Sequence, residues 1–298
     1  MRDYQCWQGM TRAELDREYS PSSIAPDAPA MRQQYALRSL YARWRLCPLV
    51  DVRYGEHPCE ALDMFPGQGK SPLVAFVHGG HWQESGKGEG AFLANDMVSS
   101  GCAFAAIGYG LAPARTLPQM VSSVARAIDW LAENARAYGA DPRRLIMVGS
   151  SAGAHLISAA LCVTTYRART RPHGAVLLSG AYDLAPLRVC YVNDRLGMDA
   201  QMVELFSPIR HLPIMVDNVL IARGEQETNE YGRQHRDFVT AVRGGTADVT
   251  SLIVPNRDHF SVVFDLANPR SDLGREFLRV VEGGKSGGVL GGISSGGG

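Results

Sequence analysis

The sequence predicts an α/β protein built on an open, mostly parallel sheet with helices on both faces. From residue 73 onward, short continuous apolar runs alternate with helical segments. Runs of this kind are typical of parallel strands that are covered on both faces. One intervening segment carries a single apolar stripe at a 3.6-residue period, as an amphipathic helix requires. The alternation of strand and helix therefore indicates a layered α/β architecture.

Eight segments of the sequence are predicted to form the strands of the sheet. Two runs near the start, 49–54 and 61–65, are separated by Gly55, His57 and Pro58 and predict an antiparallel pair. The later strands are expected at 73–77, 103–107, 145–148, 175–178, 219–222 and 252–254.

The striped helix is the best defined of the predicted helices. Its apolar residues fall on one face between Leu117 and Leu131. Thr116 is the candidate N-cap, and Pro118 is tolerated in the first turn, where its missing N–H would have no partner. Other helices are expected at 154–162 and 230–243.

The two ends of the chain differ from its middle. Residues 1–46 are polar and aromatic, with a proline-rich stretch between two short helical patterns at 11–19 and 31–44. We expect them to form an arm that packs on a single α/β core at 47–282. Residues 283–298 are rich in Gly and Ser, a composition that predicts a flexible tail.

Composition narrows the class of partner. The 298 residues carry 30 basic and 30 acidic side chains, so no general positive field favours nucleic acid or an anionic membrane. No apolar run approaches the roughly 18 residues of a spanning helix, and no secretory signal is visible. The six cysteines form no CxxC pair, which favours free thiols in the cytoplasm. A small molecule is the expected partner, and a homodimer is compatible with the sequence.

The strongest local motif is the GxSxG at 149–153, which follows a predicted strand and opens a helix. A serine at such a turn is forced outward at the carboxyl end of the sheet. Ser151 is therefore the candidate nucleophile. Ser150 is the alternative, one residue out of register.

Donors for an oxyanion are expected in the HGGHW segment at 78–82, directly after the strand at 73–77. Its glycines let backbone N–H groups approach a substrate closely. We predict an oxyanion hole from Gly79, Gly80 and His81 together with Ala152, the residue after the nucleophile.

The acid and the base should follow late strands, in that order. His259 is the predicted base, because His235, the other downstream histidine considered, lies within a predicted helix and is expected at the surface. Glu227 is the preferred acid, and Glu225 and Asp217 remain alternatives that the sequence does not eliminate.

These motifs resemble those of a known group of enzymes. HGGHW at 78–82 and GSSAGAHL at 149–156 are similar to motifs of α/β-hydrolase fold serine hydrolases. MTRAELDREYSPS at 10–22, LSGAYDLAPL at 178–187, GEQETNEY at 224–231 and DHFSVV at 258–263 resemble arylformamidases, also called kynurenine formamidases. The resemblance implies the α/β-hydrolase fold, with Ser151, Glu227 and His259 as catalytic triad and Gly79 to His81 with Ala152 around the oxyanion.

The sequence and the resemblance together predict a serine hydrolase that cleaves an N-formyl or short N-acyl arylamine without metal or cofactor. A carboxylesterase or carbamate hydrolase of the same fold is the first alternative, and a ligand-binding protein without turnover is the second. The aromatic residues expected to contact substrate are Trp82, Tyr41, Trp44 and Phe260.

Overall fold

A central sheet of eight strands organises the computed structural model, which describes residues 5–283. The strands are β1 (Gln5–Trp7), β2 (Met10–Thr11), β3 (Leu49–Arg53), β4 (Ala61–Phe65), β5 (Ser71–Val77), β6 (Ala103–Ile107), β7 (Ala140–Ser150), β8 (Gly174–Leu178), β9 (Asn218–Gly224) and β10 (Asp248–Val254). The α-helices are α1 (Arg12–Glu18), α2 (Ala28–Leu46), α3 (Ala94–Ser99), α4 (Leu117–Asn134), α5 (Ala152–Cys162), α6 (Asn193–Leu196), α7 (Ala200–Phe206), α8 (Asn229–Val242) and α9 (Asp272–Glu282).

The strand order is β10-β9-β8-β7-β5-β6-β4-β3, and β1 pairs with β2 in a separate hairpin. The strands from β10 to β6 are mutually parallel, whereas β4 runs antiparallel to both β6 and β3. The predicted α/β fold is therefore confirmed, and the early pair is antiparallel as expected.

The apolar runs became strands because both faces of the sheet are covered. Along β5, Leu73, Ala75 and Val77 face one core cluster, while Val74 and Phe76 face the other. Alternate residues of a strand point to opposite faces. Both clusters exclude water, so an uninterrupted apolar run satisfies the two faces at once.

Helix α4 extends one turn beyond its predicted stripe. Thr116 is its N-cap as expected, and the N–H of Thr116 donates to Oε1 of Gln119 at 2.9 Å in a capping box. This reciprocal cap satisfies N–H groups that have no partner inside the helix.

A buried carboxylate joins the amino-terminal arm to the sheet. Asp63 on β4 is fully buried and accepts from Lys87 Nζ at 2.6 Å and from the guanidinium of Arg43 on α2. Burial alone would raise the pKa of Asp63, but hydrogen bonds from Lys87, Asp51 and Arg43 keep it below its usual value.

Two further sequence predictions concern the ends of the chain and membrane spans. The predicted tail lies outside the described residues apart from Gly283. Within residues 5–283, none of the helices has the length and apolarity to cross a bilayer.

Candidate active site

Ser151 occupies a strained turn between β7 and α5. Its backbone has φ +54° and ψ −117°, and its N–H donates to the Leu178 carbonyl at 2.8 Å. A Cβ on Gly153 would lie 2.0 Å from the Val77 carbonyl oxygen, so only glycine fits this crossing. Strained backbone of this kind persists where packing holds it, and it often marks a functional residue. The serine side chain lines the cavity described below.

The HGGHW loop lies against this turn. A Cβ on Gly79 would lie 2.9 Å from the Ser150 carbonyl oxygen, and Gly80 and His81 have φ of +105° and +48°. All three line the same cavity as Ser151. Across the described residues, the hydrogen bonds leave the N–H groups of Gly80 and His81 without an acceptor. These groups are available to a bound oxyanion.

His78 and Tyr109 pack against each other and support the HGGHW loop. Their rings stack at 4.3 Å, and the Tyr109 hydroxyl donates to the His78 carbonyl at 3.0 Å. Burial lowers the pKa of His78 to about 4, so its imidazole is neutral at pH 7. Tyr109 lies two residues after β6, and no sequence motif marked it as part of the site.

Glu227 and His259 form a hydrogen-bonded pair. Nδ1 of His259 lies 3.0 Å from Oε2 of Glu227, whose side chain is fully buried. An ionised carboxylate can only accept, so this contact assigns the proton to Nδ1 and leaves Nε2 with a lone pair. His259 lines the same cavity as Ser151. The structure thus brings the predicted nucleophile, acid and base to one place.

The other oxygen of Glu227 is also fully engaged. Oε1 accepts from the Ser179 hydroxyl at 2.7 Å and from the Gly224 N–H at 2.6 Å. These bonds offset the cost of burying the carboxylate and fix its plane. Ser179 follows β8 with φ +52°. It lies in the LSGAYDLAPL segment, but nothing in the spacing indicated that its hydroxyl would reach the acid.

The loops that carry the acid and the base support each other. A Cβ on Gly224 would lie 2.2 Å from the Arg257 carbonyl oxygen, and Gln226 N–H donates to that carbonyl at 2.9 Å. Asp258 Oδ1 accepts from the N–H groups of Phe260 and Ser261, each at 2.8 Å. The backbone on both sides of His259 is therefore held.

The two alternative acids make other contacts, whereas the alternative serine lies beside the predicted nucleophile. Oε2 of Glu225 accepts from the Asn256 N–H at 3.0 Å. Asp217 precedes β9, at the end of the strand opposite to the cavity, and pairs with Arg171 at 2.7 Å. Ser150 is the last residue of β7, and it lines the cavity beside Ser151.

The cavity has a volume of about 560 Å³. Four aromatic residues line its wall: Tyr35, Phe76, Phe92 and Phe260. Of the four predicted substrate contacts, Phe260 is the one that lines the cavity. Pro21, Ser22 and Arg32 of the amino-terminal arm also line it. A planar apolar group fits this wall.

The structure does not bring the other three predicted substrate contacts to the cavity. Trp82 is 1% exposed and its Nε1 donates to Nδ1 of His155 at 3.2 Å, so its ring packs in the core behind the loop. Tyr41 and Trp44 are 50% and 76% exposed and contact each other on the outer face of α2. The face of α2 that meets the cavity carries Tyr35 and Arg32 instead.

His235 is buried, contrary to its predicted surface position. It lies on the inner face of α8, with Nε2 3.0 Å from the Ser251 hydroxyl on β10. Burial lowers its pKa to about 4. The sequence position within a helix was right, but the apolar stripe of α8 includes this residue.

Tyr231 is a further residue at the site. Its ring lies 4.5 Å from that of His259. Burial raises the pKa of its hydroxyl, and hydrogen bonding to the Ser151 side chain offsets part of that rise. Among the described residues, no group of three or more His, Cys, Asp or Glu side chains is arranged to hold a metal ion.

The chain is similar to several known proteins. Residues 63–173 match the family model BD-FAE. The chain is 32% identical to the kynurenine formamidase of Danio rerio, over 92% of this chain and 98% of that protein. It is 29% identical to the esterase LipQ of Mycobacterium tuberculosis, over 81% of this chain and 61% of that protein.

A solved structure is similar over most of its length. A Silicibacter protein described as a thioesterase superposes with a TM-score of 0.78 at 26% identity, covering 89% of this chain and 99% of that one.

Proposed function

The chain belongs to the kynurenine formamidase family of α/β hydrolases, and from that premise we propose that it cleaves N-formyl or short N-acyl arylamines through an acyl-enzyme on Ser151. The chain is a hydrolase of amide or ester bonds. The observation that supports the serine mechanism is the Glu227–His259 pair, at 3.0 Å, whose imidazole lines the same cavity as Ser151.

The proposed reaction has two halves. Nε2 of His259 takes the proton of Ser151 as Oγ bonds to the acyl carbon, and the same proton passes to the leaving arylamine as the C–N bond breaks. Water then attacks the acyl-enzyme while His259 accepts its proton, and Ser151 regains a proton as the acid leaves. Glu227 keeps the imidazole in the required tautomer and stabilises the imidazolium. These steps use side chains and water alone.

Main-chain donors would stabilise the tetrahedral intermediates. The unengaged N–H groups of Gly80 and His81, with those of Gly79 and Ala152, are assigned to the oxyanion. Each such donor contributes about 3 kcal/mol in comparable enzymes. The neutral state of His81, whose pKa burial lowers to about 4, keeps a second positive charge away from the imidazolium of His259.

The aromatic side of the cavity supports an aryl leaving group. An arylamine leaves more easily than an alkylamine because the ring delocalises the nitrogen lone pair. A cavity of about 560 Å³ holds a small substituted ring with its acyl group. A carbamate or ester of a phenol would present the same ring, so these remain the alternative substrates, favoured by the similarity to an esterase.

Matched substrates test the proposal. Formanilide and phenyl formate differ only in the leaving atom, and both should be hydrolysed by the wild type, with formanilide turnover establishing the amidase. Ser151→Ala should lose turnover of both by at least about a thousandfold. Ester-only turnover would contradict the amidase proposal and leave the esterase, and activity surviving Ser151→Ala would contradict the serine mechanism. An absence of turnover with rapid fluorophosphonate labelling would exclude the formyl group, which is the acyl group of both substrates.

A cytoplasmic homodimer is the proposed state in the cell. The described cysteines, which run from Cys47 to Cys190, are all free, as a reducing compartment favours. Leu40, Tyr41 and Trp44 expose an apolar face on α2 that supports self-association. Light scattering of the wild type and of Trp44→Ser tests it, since a monomeric wild type would contradict the dimer.

A further inference from the structure

The first turn of α8 follows Glu227 directly and is capped by a residue of the amino-terminal arm. Thr228, the N-cap, makes no side-chain bond to its own helix, and its hydroxyl donates to the main-chain oxygen of Glu18 at 2.6 Å. Oε2 of Glu18 accepts from the Glu230 N–H at 2.9 Å. The first N–H groups of a helix lack partners inside it, and a carboxylate there is favoured by the helix dipole. Glu18 therefore supplies from α1 the cap that Thr228 does not.

The neighbouring Tyr19 extends this contact toward the base. Its fully buried hydroxyl donates to Oε2 of Glu230 at 2.9 Å and accepts from Nε2 of Gln234 at 2.8 Å. Its ring meets that of Tyr231 edge-on at 5.8 Å, and Tyr231 lies 4.5 Å from His259. A continuous row of packed rings thus connects α1 to the imidazole.

The arm also holds the residue that follows the base. The Tyr35 hydroxyl on α2 donates to the Phe260 carbonyl, and the guanidinium of Arg32 lies 5.4 Å from the centre of the Phe260 ring. The arm consequently contacts the chain immediately after Glu227 and immediately after His259.

We propose that Glu18 is a positioning residue for the Glu227–His259 pair, an inference that rests on the proposed function. On its amino-terminal side Glu227 is fixed by β9, which the sheet holds rigidly. On its carboxyl side it is fixed by the start of α8, and the arm caps that start. Releasing the cap lets the first turn of α8 fray and the acid swing away from Nδ1 of His259. Small displacements of catalytic groups cost rate steeply.

The test compares Glu18→Ala with Glu14→Ala. Glu14 caps its own helix α1 by accepting from the Thr11 N–H at 2.8 Å, so its loss weakens the arm without touching α8. We expect Glu18→Ala to lower kcat about tenfold with little change in KM. The acid limb of its kcat/KM profile should move to lower pH, because a displaced carboxylate stabilises the imidazolium less. Glu14→Ala should keep the wild-type kcat and profile, and Glu18→Gln, which retains an acceptor oxygen, should restore most of the rate.

The rate at which a fluorophosphonate labels Ser151 is measured beside turnover, since labelling needs the Glu227–His259 pair but no particular substrate. Glu18→Ala should label about tenfold more slowly than Glu14→Ala at equal folded fraction. Equal labelling rates, or a loss of kcat with an unchanged pH profile, would overturn the positioning role. A wild type that labels rapidly yet cleaves neither amide nor ester would contradict the proposed function alone.

Discussion

At the scale of single residues, Ser179 fixes the orientation of the Glu227 carboxylate, the proposed acid. Its hydroxyl and the Gly224 N–H hold Oε1 of Glu227, which turns Oε2 toward His259. Of these donors, the hydroxyl is the one that substitution can remove. The buried carboxylate would then be short of one hydrogen bond, a deficit that costs about 1–3 kcal/mol for a buried polar group.

We predict that Ser179→Ala lowers kcat/KM about tenfold through a misplaced acid. Ser158→Ala is the matched control, because Ser158 is equally buried but bonds only the Ala154 carbonyl within α5. Steady-state kinetics on both variants measure the difference. The same rate constants for the two variants would show that Ser179 does not position Glu227.

Buried histidines make stability depend on pH. Burial lowers the pKa of His78, His81, His155 and His235 to about 4 each, below the ordinary value near 6.5. The unfolded chain therefore binds more protons than the folded chain between these values. By linkage, the free energy of unfolding falls as the pH falls from about 6.5 toward about 4.

Urea unfolding at pH 7 and pH 5 measures this dependence. His235→Gln should show a shallower loss, since an amide can still bond Ser251 but does not titrate. A stability difference between the two pH values that is as large in His235→Gln as in the wild type would contradict the contribution of His235.

At the scale of elements, the β7–α5 turn depends on a glycine that touches β5. Gly153→Ala would place a methyl group 2.0 Å from the Val77 oxygen, a main-chain atom that β5 holds in place. We predict that Ser151 labelling is lost and that the melting temperature falls.

Gly86→Ala is the control for this substitution, because a Cβ there meets nothing within 4 Å. Thermal unfolding and fluorophosphonate labelling of both variants measure the effect. A Gly153→Ala protein that labels at the wild-type rate would show that β5 and α5 can separate without disturbing the serine.

At the scale of the whole molecule, the arm and the sheet are joined by the charges around Asp63. Asp63→Asn would replace the buried carboxylate by a neutral amide. The largely buried cations of Arg43 and Lys87 would then lose the negative charge that they contact. We predict a loss of about 3 kcal/mol in the free energy of unfolding.

Asp272→Asn is the comparison for that loss, since its pair with Arg275 is exposed on both sides and contributes little. Denaturant unfolding measures both variants. Equal stabilities of Asp63→Asn and Asp272→Asn would mean that the charges around Asp63 do not stabilise the fold.

The sequence by itself determined the fold class, and it singled out Ser151 as the predicted nucleophile and His259 as the predicted base. The apolar runs predicted the parallel strands, because a strand covered on both faces leaves no polar positions. The turn at Ser151 could be predicted from the sequence because the glycines that allow it lie within two residues of Ser151. His259 was favoured because it follows the last apolar run on a short polar loop.

Only the tertiary structure decided which side chains meet across long separations. The course of one loop decides that Glu227, and not Glu225, contacts His259. The Ser179 hydroxyl reaches Glu227 because β8 lies beside β9. Trp82, Tyr41 and Trp44 lie away from the cavity, contrary to prediction. The curvature of its loop turns Trp82 into the core, and the rotation of α2 about its axis turns Tyr41 and Trp44 outward. Contacts such as Glu18 with α8 join residues more than 200 positions apart, and local sequence carries no information about them, because the packing of the whole chain sets those distances.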